Sequence, residues 1–487
     1  MIELHLPWLE LAILIPLVGS AVVSRIRDAD LVRKMSVVTT SLAFVCTLGA
    51  WIDFLALGAT TADDRFHLLS RVFGYEPFTI DQLSAPLLPM AALLYCLTMV
   101  ATLRTKVRRF RFAWNLIAES VLLATFCSTE SWTVIGLLSV GCIFPFLILR
   151  VRAKSTRIYL FHMSIYVGGM VLGQLLIDRN TVDGTAAAWA VAPLLTAILV
   201  RNGIAPFHCW VSDLFEKASF GGALLFVAPI TGAYAAVRLF VPVAPQGMLQ
   251  VTGMLSLGTA IYAAAISLIQ QDCRRFFSCL FLSHASLVLF GLTVGNPIGV
   301  TGALCIWLSI SLATGGLGLT LRAMESRCGR LSLVDFQGLY EHTPNLAMCF
   351  VLTGLASVGF PGTFGFVGTE LLVDGGVEAY PYLGMAVVVV AALNGIAIVH
   401  AYFRLFTGVR YFSSVSLLIR VRERYAVLAL AALILLGGLV PQRWVESRYH
   451  AAVALLNGHG RHSLATEPQD ESPVLASLET SSDAITP

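Results

Sequence analysis

The feature that most constrains this chain is a series of apolar runs of about 16 to 28 residues, separated by short charged clusters. A bilayer core roughly 30 Å thick needs about 20 apolar residues for each helical crossing. Of the 487 residues, 57% are hydrophobic and only 13% are charged, whereas a soluble chain of this length carries about a quarter charged residues. The sequence therefore predicts a polytopic α-helical membrane protein.

Fourteen apolar segments are long enough to be assigned as spans. Glycine and proline interrupt the seventh segment near Pro206 and the twelfth near Pro361, which predicts a broken helix at each place. The predicted fold is an all-α bundle of about 14 transmembrane helices, at residues 6–24, 35–57, 80–103, 112–126, 132–149, 158–176, 186–210, 221–240, 248–269, 276–294, 298–321, 346–373, 380–403 and 425–439.

The basic residues alternate between loops as this count requires. Of the 32 lysines and arginines, 24 follow an odd-numbered span, whereas the loops on the opposite side hold only Arg65, Arg71 and Arg179. Cytoplasmic loops carry the excess of Lys and Arg in membrane proteins. We therefore expect a multi-pass protein of the cell inner (cytoplasmic) membrane with both termini facing away from the cytoplasm.

Composition argues against several other classes of protein. The net charge of +3 is small and the basic residues flank spans without forming one basic face, which argues against nucleic-acid binding. The ten cysteines lie mostly within or beside apolar runs and include no CxxC pair, a pattern typical of small buried hydrophobes rather than zinc ligands or disulfides. No cleavable signal peptide is expected, since the first apolar run lacks a basic leader and a small-residue cleavage site.

Spans four to eight and nine to thirteen form two sets of five, and in each set the fourth helix carries the interruption. Because five is odd, a duplicated set would point the opposite way through the membrane. Matching broken helices indicate an inverted-repeat transporter fold, in which unwound backbone lines a hydrated path. The expected division is an N-terminal three-helix segment (1–110), a first repeat (111–241), a second repeat (246–408), a final helix with its flanks (409–456), and a disordered acidic extracytoplasmic tail (457–487).

Four motifs carry a resemblance to a known family. They are FTIDQLSAPLLP at 78–89, PFHCWVSDLFEKAS at 206–219, QDCRRFFSCLFLSHASLVLFGL at 271–292, and DFQGLYEHTPNLAMCFVLTGLASVGFPGTFGFVGTE at 335–370. With them the chain resembles the antiporter-like membrane subunits of respiratory complex I (NADH:quinone oxidoreductase) and of the multisubunit Mrp cation/proton antiporters. The resemblance implies a fourteen-helix, inverted-repeat bundle, which agrees with the count of spans.

The resemblance also implies a chain of ionisable groups at mid-membrane, and this sequence departs from it. A fifth-span glutamate would fall near Val140 and its seventh-span lysine partner on Arg201. The eighth-span lysine would fall at or beside Ile230, the eleventh-span histidine and lysine near Leu312 and Gly316, and the twelfth-span group on Thr369. All four lysines, Lys34, Lys106, Lys154 and Lys217, lie outside the predicted spans. The missing lysines argue against an independent proton relay in this chain.

Six ionisable residues remain as candidates for an ion path through the membrane: Arg201, His208, Glu119, His284, Glu370 and His400. Arg201 is the sharpest case, because an isolated arginine in a membrane is costly and needs a carboxylate or carbonyl partner. Glu119 and Glu370 are candidates for that partner. His208 and His284 lie in family motifs, and structural and transport roles are equally open for them.

Three hypotheses follow. The first is a membrane subunit of a complex I-like or Mrp-like proton- or cation-translocating assembly, partnered by other membrane subunits. It would hold no cofactor or redox centre, since there is no iron–sulfur cysteine cluster and no GxGxxG after a strand. The second, also from the resemblance, is a membrane subunit of a bacterial inorganic-carbon (bicarbonate/CO2) uptake complex paired with a soluble cytoplasmic zinc protein, which the missing lysines favour. The third is a membrane scaffold, which predicts that Arg201 and Glu370 tolerate neutral replacement.

Overall fold

The structure is a computed structural model that describes residues 2–65, 78–102, 110–182, 185–408 and 421–464. Most of these residues are helical. The helices of the N-terminal part and the first predicted repeat are α1 (Trp8–Arg25), α2 (Ala29–Leu57), α3 (Leu87–Val100), α4 (Phe112–Cys127), α5 (Ser131–Gly141), α6 (Ile143–Val151), α7 (Arg157–Asn180), α8 (Ala188–Asn202), α9 (Cys209–Lys217), α10 (Phe220–Val227) and α11 (Thr231–Ala235), which continues as a π-helical turn, Ala236–Phe240.

The second predicted repeat and the C-terminal part are helical as well. Their helices are α12 (Gln246–Leu268), α13 (Cys273–Leu292), α14 (Pro297–Cys328), α15 (Pro344–Ser357), α16 (Phe364–Ala379), α17 (Pro381–Phe406), α18 (Val421–Leu439) and α19 (Gln442–Leu464).

Membrane-length helices confirm the prediction of a polytopic helical membrane protein. Within the described ranges, nine helices are long and apolar enough to cross a membrane, and the bent pair Glu423–Leu439 and Gln442–Asn457 makes a tenth if it forms one span. Four shorter apolar helices, Leu87–Val100, Phe112–Cys127, Ala188–Asn202 and Pro344–Ser357, coincide with the third, fourth, seventh and twelfth predicted spans. The count of fourteen, the inverted repeat and the domain boundaries stay predictions.

The bundle has an inner and an outer set of helices. In the apolar stretches of α13 and α14, 94% of the residues are buried, whereas only 33% are buried in that of α17. Helices such as α1, α2, α7 and α17 bury one face and expose large aliphatic side chains on the other, as helices that border lipid do. The interior around α13 and α14 is therefore where polar side chains must find partners within the protein.

A small sheet closes the end of the bundle at which α1 begins. Strand β1 (Ile2–Leu4) pairs in parallel with β2 (Thr61–Asp64), which pairs antiparallel with β3 (Thr79–Asp81). Asp81 at the end of β3 receives a 2.7 Å hydrogen bond from Arg238 Nη1. Burial raises the pKa of the Asp81 carboxyl, but the Arg238 charge and hydrogen bonds from Arg238 and Ser84 outweigh it, so the pKa lies below its ordinary value. A second, two-stranded sheet joins α7 to α8, with β4 (Thr181–Val182) antiparallel to β5 (Thr185–Ala186).

The C-terminal helix α19 was not expected from the sequence. It follows α18 after a bend of 82° and extends to Leu464, beyond Asn457 where the predicted disordered tail begins. Arg448 on α19 is 1% exposed and donates hydrogen bonds to the carbonyl oxygens of Gln82 and Leu83 at the entry to α3. The rest of the predicted tail, 465–487, lies outside the described residues.

Candidate functional site

The two predicted helix breaks have the same backbone construction. After α8, Gly203 takes a left-handed φ of +68°, its N–H bonds to the Val200 carbonyl, and the N–H of Ile204 bonds to the Leu199 carbonyl. After α15, Gly359 takes a φ of +80°; there the bonds run from Gly359 to Ala356 and from Phe360 to Leu355. Both are the glycine-dependent Schellman closure, which ends a helix and turns the chain aside. Pro206 and Pro361 follow within three residues of these glycines, so neither α8 nor α15 continues beyond its break.

Side chains from other segments satisfy the backbone of the first break. The indole Nε1 of Trp210 donates to the Val200 carbonyl at 2.8 Å. The Thr259 hydroxyl on α12 accepts from the backbone N–H of Ala205 at 3.1 Å. Unwound backbone at membrane depth needs such partners, so the first break is fixed by the second predicted repeat as well as by its own chain.

The eighth predicted span is also broken, which the sequence did not indicate. Ile230 lies between α10 and α11 with a left-handed φ of +50°, a conformation that β-branched residues rarely adopt. Its N–H bonds to the Val227 carbonyl, and the Ala233 N–H bonds to the Ile230 carbonyl. The carbonyl oxygens of Phe226 and Pro229 therefore lose their regular i+4 donors. Two side chains replace them: Arg201 Nη2 donates to Phe226 at 3.3 Å and Trp307 Nε1 donates to Pro229 at 3.0 Å.

Arg201 is held by a hydroxyl, a carbonyl and aromatic rings. It is 6% exposed, and its Nη2 donates to the Thr231 hydroxyl at 2.6 Å in addition to the Phe226 carbonyl. The guanidinium carbon lies 4.0 Å from the centre of the Phe226 ring and 5.4 Å from that of Trp210. The favourable face of an aromatic ring partly offsets the loss of water around the cation. The sequence predicts either a carboxylate or a carbonyl partner for Arg201, and the Phe226 carbonyl is a partner of the second kind.

The carboxylates proposed as partners do not reach Arg201. Among the ion pairs of the described residues, none joins Arg201 to Glu119 or to Glu370. Glu119 lies on α4 with 0% exposure, and neither of its carboxylate oxygens has a hydrogen-bond partner in the described part of the chain. Glu370 lies on the exposed face of α16.

The three histidine candidates lie in three different surroundings. His284 on α13 is 1% exposed, and its Nε2 has no hydrogen-bond partner among the described residues. His208 is half-buried just before α9, with its ring 5.3 Å from that of Tyr262. His400 on α17 is also half-buried and receives a 3.3 Å hydrogen bond from Arg404. Among the described residues, no hydrogen bond or ion pair links any two of the six candidates, so they do not form one contiguous relay of direct contacts there.

Three neighbouring cavities share lining residues, and the innermost of them is lined by Arg201. We call them the vestibule (about 380 Å³), the passage (about 330 Å³) and the inner cavity (about 50 Å³). The vestibule and the passage share Arg152, Lys154 and Ser219, and the passage and the inner cavity share Asn115 and Ile148. The inner cavity has polar lining from Arg201, Thr231, Asn115, Thr125 and Tyr95. At about 10–15 Å³ for each water, it has room for roughly three or four.

Comparison with known proteins decides the family. The family model described as NADH:quinone oxidoreductase/Mrp antiporter, TM, matches residues 146–394, about half of the chain. The chain belongs to this family. It is 25% identical over 402 residues to NADH-quinone oxidoreductase subunit 13 of Thermus thermophilus, covering 77% of this chain and 83% of the relative. It is 23% identical over 386 residues to NADH-quinone oxidoreductase subunit M of Rhodobacter capsulatus, covering 72% and 74%.

Solved structures of this family have the same fold. A chain of respiratory complex I from Thermus thermophilus matches with a TM-score of 0.80 at 22% identity, covering 93% of this chain and 99% of that one. A chain of the Mrp complex from Dietzia sp. DQ12-45-1b matches with a TM-score of 0.79 at 17% identity, covering 94% and 99%. The resemblance inferred from the four motifs is thereby confirmed.

Inside this quinone oxidoreductase/Mrp antiporter fold, the described lysines lie near helix ends or in loops. Lys34 is exposed in the second turn of α2, and Lys217 ends α9 in an ion pair with Asp213. Lys154 is exposed in the loop after α6, and Lys106 lies outside the described residues. Val140, aligned with the fifth-span glutamate, is 41% exposed. The buried ionisable groups of this member are therefore Glu119, Arg201 and His284 among the six candidates.

Proposed function

We propose that this chain is a membrane subunit of a multisubunit proton- or cation-translocating complex and that it works beside other membrane subunits. The observation that carries the proposal is the matched pair of glycine-closed helix breaks within a family whose members include complex I and Mrp subunits. Such breaks expose backbone polar groups toward an ion path at membrane depth. Any redox chemistry of the assembly would belong to its partners, and both termini of this chain would be extracytoplasmic.

We further propose that this subunit has no lysine relay. Arginine keeps its proton under all ordinary conditions, so Arg201 cannot take the part of a lysine that releases and rebinds one. A proton that enters this chain would use Glu119 and His284, whose buried side chains have unpartnered polar atoms among the described residues. Water in the inner cavity would supply the missing links, because Asn115 lines that cavity and lies one helical turn from Glu119 on α4.

The inorganic-carbon uptake subunit is the second candidate. Two observations favour it over the first: the missing lysines, and the fixed positive charge of Arg201 where a proton carrier is expected. Such a subunit would couple an ion gradient to a soluble zinc protein on the cytoplasmic side.

Purification of the tagged full chain in mild detergent, followed by mass spectrometry, separates the candidates. We expect co-purification of membrane subunits of a quinone-reductase or Mrp-type assembly. Recovery of a single soluble zinc protein would overturn the first proposal and support the second. Recovery of a stable chain with no partner would overturn both, provided that the same membranes yield other complexes intact.

A further inference from the structure

The inner cavity is lined by a buried cation, Arg201, whose hydrogen bonds end on neutral groups. Arg201 donates hydrogen bonds to Thr231 and to Phe226, both from Nη2. The other two guanidinium nitrogens, Nη1 and Nε, also carry N–H groups. The hydroxyl of Tyr166 is fully buried, and no acceptor is assigned to it in the described part of the chain. The Tyr166 ring centre lies 6.0 Å from the Arg201 guanidinium carbon. The Arg201 guanidinium, a cation that cannot lose its charge, thus lines the cavity, and Tyr166 lies next to it but is not among the lining residues.

The charge of Arg201 is not balanced by a carboxylate at this place. The lining of the inner cavity contains no Asp or Glu among the described residues, and the hydrogen bonds that Arg201 donates to Thr231 and Phe226 end on a neutral hydroxyl and a neutral carbonyl. A buried cation in a membrane interior is costly without a counter-charge. A small anion in the cavity would supply that charge and accept the spare hydrogen bonds.

The route to the cavity begins in a vestibule with an excess of positive charge. Its described lining holds six basic side chains, Arg152, Lys154, Lys217, Arg274, Arg322 and Arg330, and three acidic ones, Glu216, Glu325 and Glu423. Each of these carboxylates forms an ion pair with an arginine: Glu325 with Arg274, Glu216 with Arg275, and Glu423 with Arg327. Two of the basic side chains pair with acids outside the lining, Lys217 with Asp213 and Arg330 with Asp272, so these ion pairs together leave the positive excess in place. A cleft with an excess of one charge concentrates ions of the opposite sign. The vestibule therefore favours entry of anions.

We propose that the inner cavity binds a small monovalent anion, chloride or bicarbonate, on the Arg201 guanidinium, and that this anion enters from the vestibule through the passage. Room for three or four waters admits one such anion with little of its hydration shell. This inference goes beyond the first proposed function, which concerns protons or cations, and it does not depend on the chain conducting either; a preference for bicarbonate would also fit the second candidate function, whereas a preference for chloride would not.

The test is an anion titration of the purified full chain in detergent. The protein is kept in sodium gluconate at constant ionic strength, and chloride or bicarbonate replaces gluconate while thermal unfolding is followed by tryptophan fluorescence. A ligand that binds only the folded state raises the unfolding midpoint in a saturable way. We expect such a rise in wild type with one or both anions, and the anion with the lower half-saturating concentration identifies the preferred ligand.

Variants localise the effect. Arg201→Gln should abolish the anion-dependent rise in the unfolding midpoint, and Arg201→Lys should retain a weaker rise. Arg448→Gln should keep the wild-type response, since Arg448 is also a buried arginine but lines none of the three cavities. If Arg201→Gln does not fold, Asn115→Leu serves instead, since Asn115 lines both the passage and the inner cavity, and a several-fold higher half-saturating concentration is expected. A wild type that responds to neither anion, or a full response in both Arg201→Gln and Asn115→Leu, would overturn the proposal and leave water as the occupant.

Discussion

The hydrogen bond from Trp307 to the eighth predicted span gives the sharpest stability prediction. Trp307 is 0% exposed, and its Nε1 donates to the Pro229 carbonyl at 3.0 Å. Trp307→Phe keeps an aromatic ring in place but removes the donor, so the carbonyl freed by the turn at Ile230 has no replacement. Leaving a buried acceptor unsatisfied costs about 1–3 kcal/mol, and the smaller ring adds about 1 kcal/mol for the space it leaves. We expect a loss of about 2–4 kcal/mol in the free energy of unfolding.

Trp51→Phe is the matched control. The Nε1 of Trp51 is buried but has no acceptor among the described residues, so the same substitution removes a donor without breaking a hydrogen bond. We expect a loss of no more than about 1 kcal/mol, from contact area alone. Both variants are measured by reversible unfolding in mixed micelles of mild detergent and sodium dodecyl sulfate. Equal, small losses in the two variants would show that Trp307 does not secure the eighth span.

Two further predictions concern packing and pH. Gly375→Ala on α16 would set a Cβ 2.2 Å from the backbone nitrogen of Gly299 on α14. We expect overpacking to lower the free energy of unfolding by about 1–3 kcal/mol. In the same unfolding assay, Gly258→Ala, whose Cβ would meet nothing within 4 Å, should be neutral or stabilising by up to about 1 kcal/mol. Because the folded-state pKa of Asp81 lies below its unfolded value, the ion pair with Arg238 contributes stability above about pH 4, which is lost as the pH falls further. The unfolding midpoint of wild type should therefore fall on acidification below about pH 4, and that of Asp81→Asn should start lower and fall less; parallel curves for the two proteins would contradict this assignment.

Sequence reasoning located both predicted helix breaks because their cause is local. Gly203 and Gly359 each provide the left-handed residue that closes a helix, and a proline follows at once. The turn at Ile230 lacks a glycine at its left-handed position, and isoleucine is a poor residue for that conformation; the one local signal is Pro229 directly before it. The turn is imposed by tertiary contacts, through the side chains of Arg201 and Trp307, which satisfy the freed carbonyls.

The partner of Arg201 could be predicted only as a chemical class. A carboxylate partner can be identified from the sequence as an Asp or Glu, which makes Glu119 and Glu370 candidates. A backbone carbonyl belongs to every residue and has no sequence signature. Helix α19 escaped prediction for a related reason, since its polar sequence lacks an apolar run and it is fixed to the bundle through Arg448 and backbone carbonyls at the start of α3.

The most direct test of the proposed function is ion translocation by the co-purified assembly in proteoliposomes, followed with a pH-sensitive dye and with the cation varied. We predict that the wild-type assembly translocates protons or cations and that Glu119→Gln lowers the rate strongly. Glu446→Gln, at an exposed position on α19, should translocate like wild type. An assembly that energises no gradient with the wild-type chain would contradict the proposed function, and a wild-type rate in Glu119→Gln would contradict the role given to Glu119.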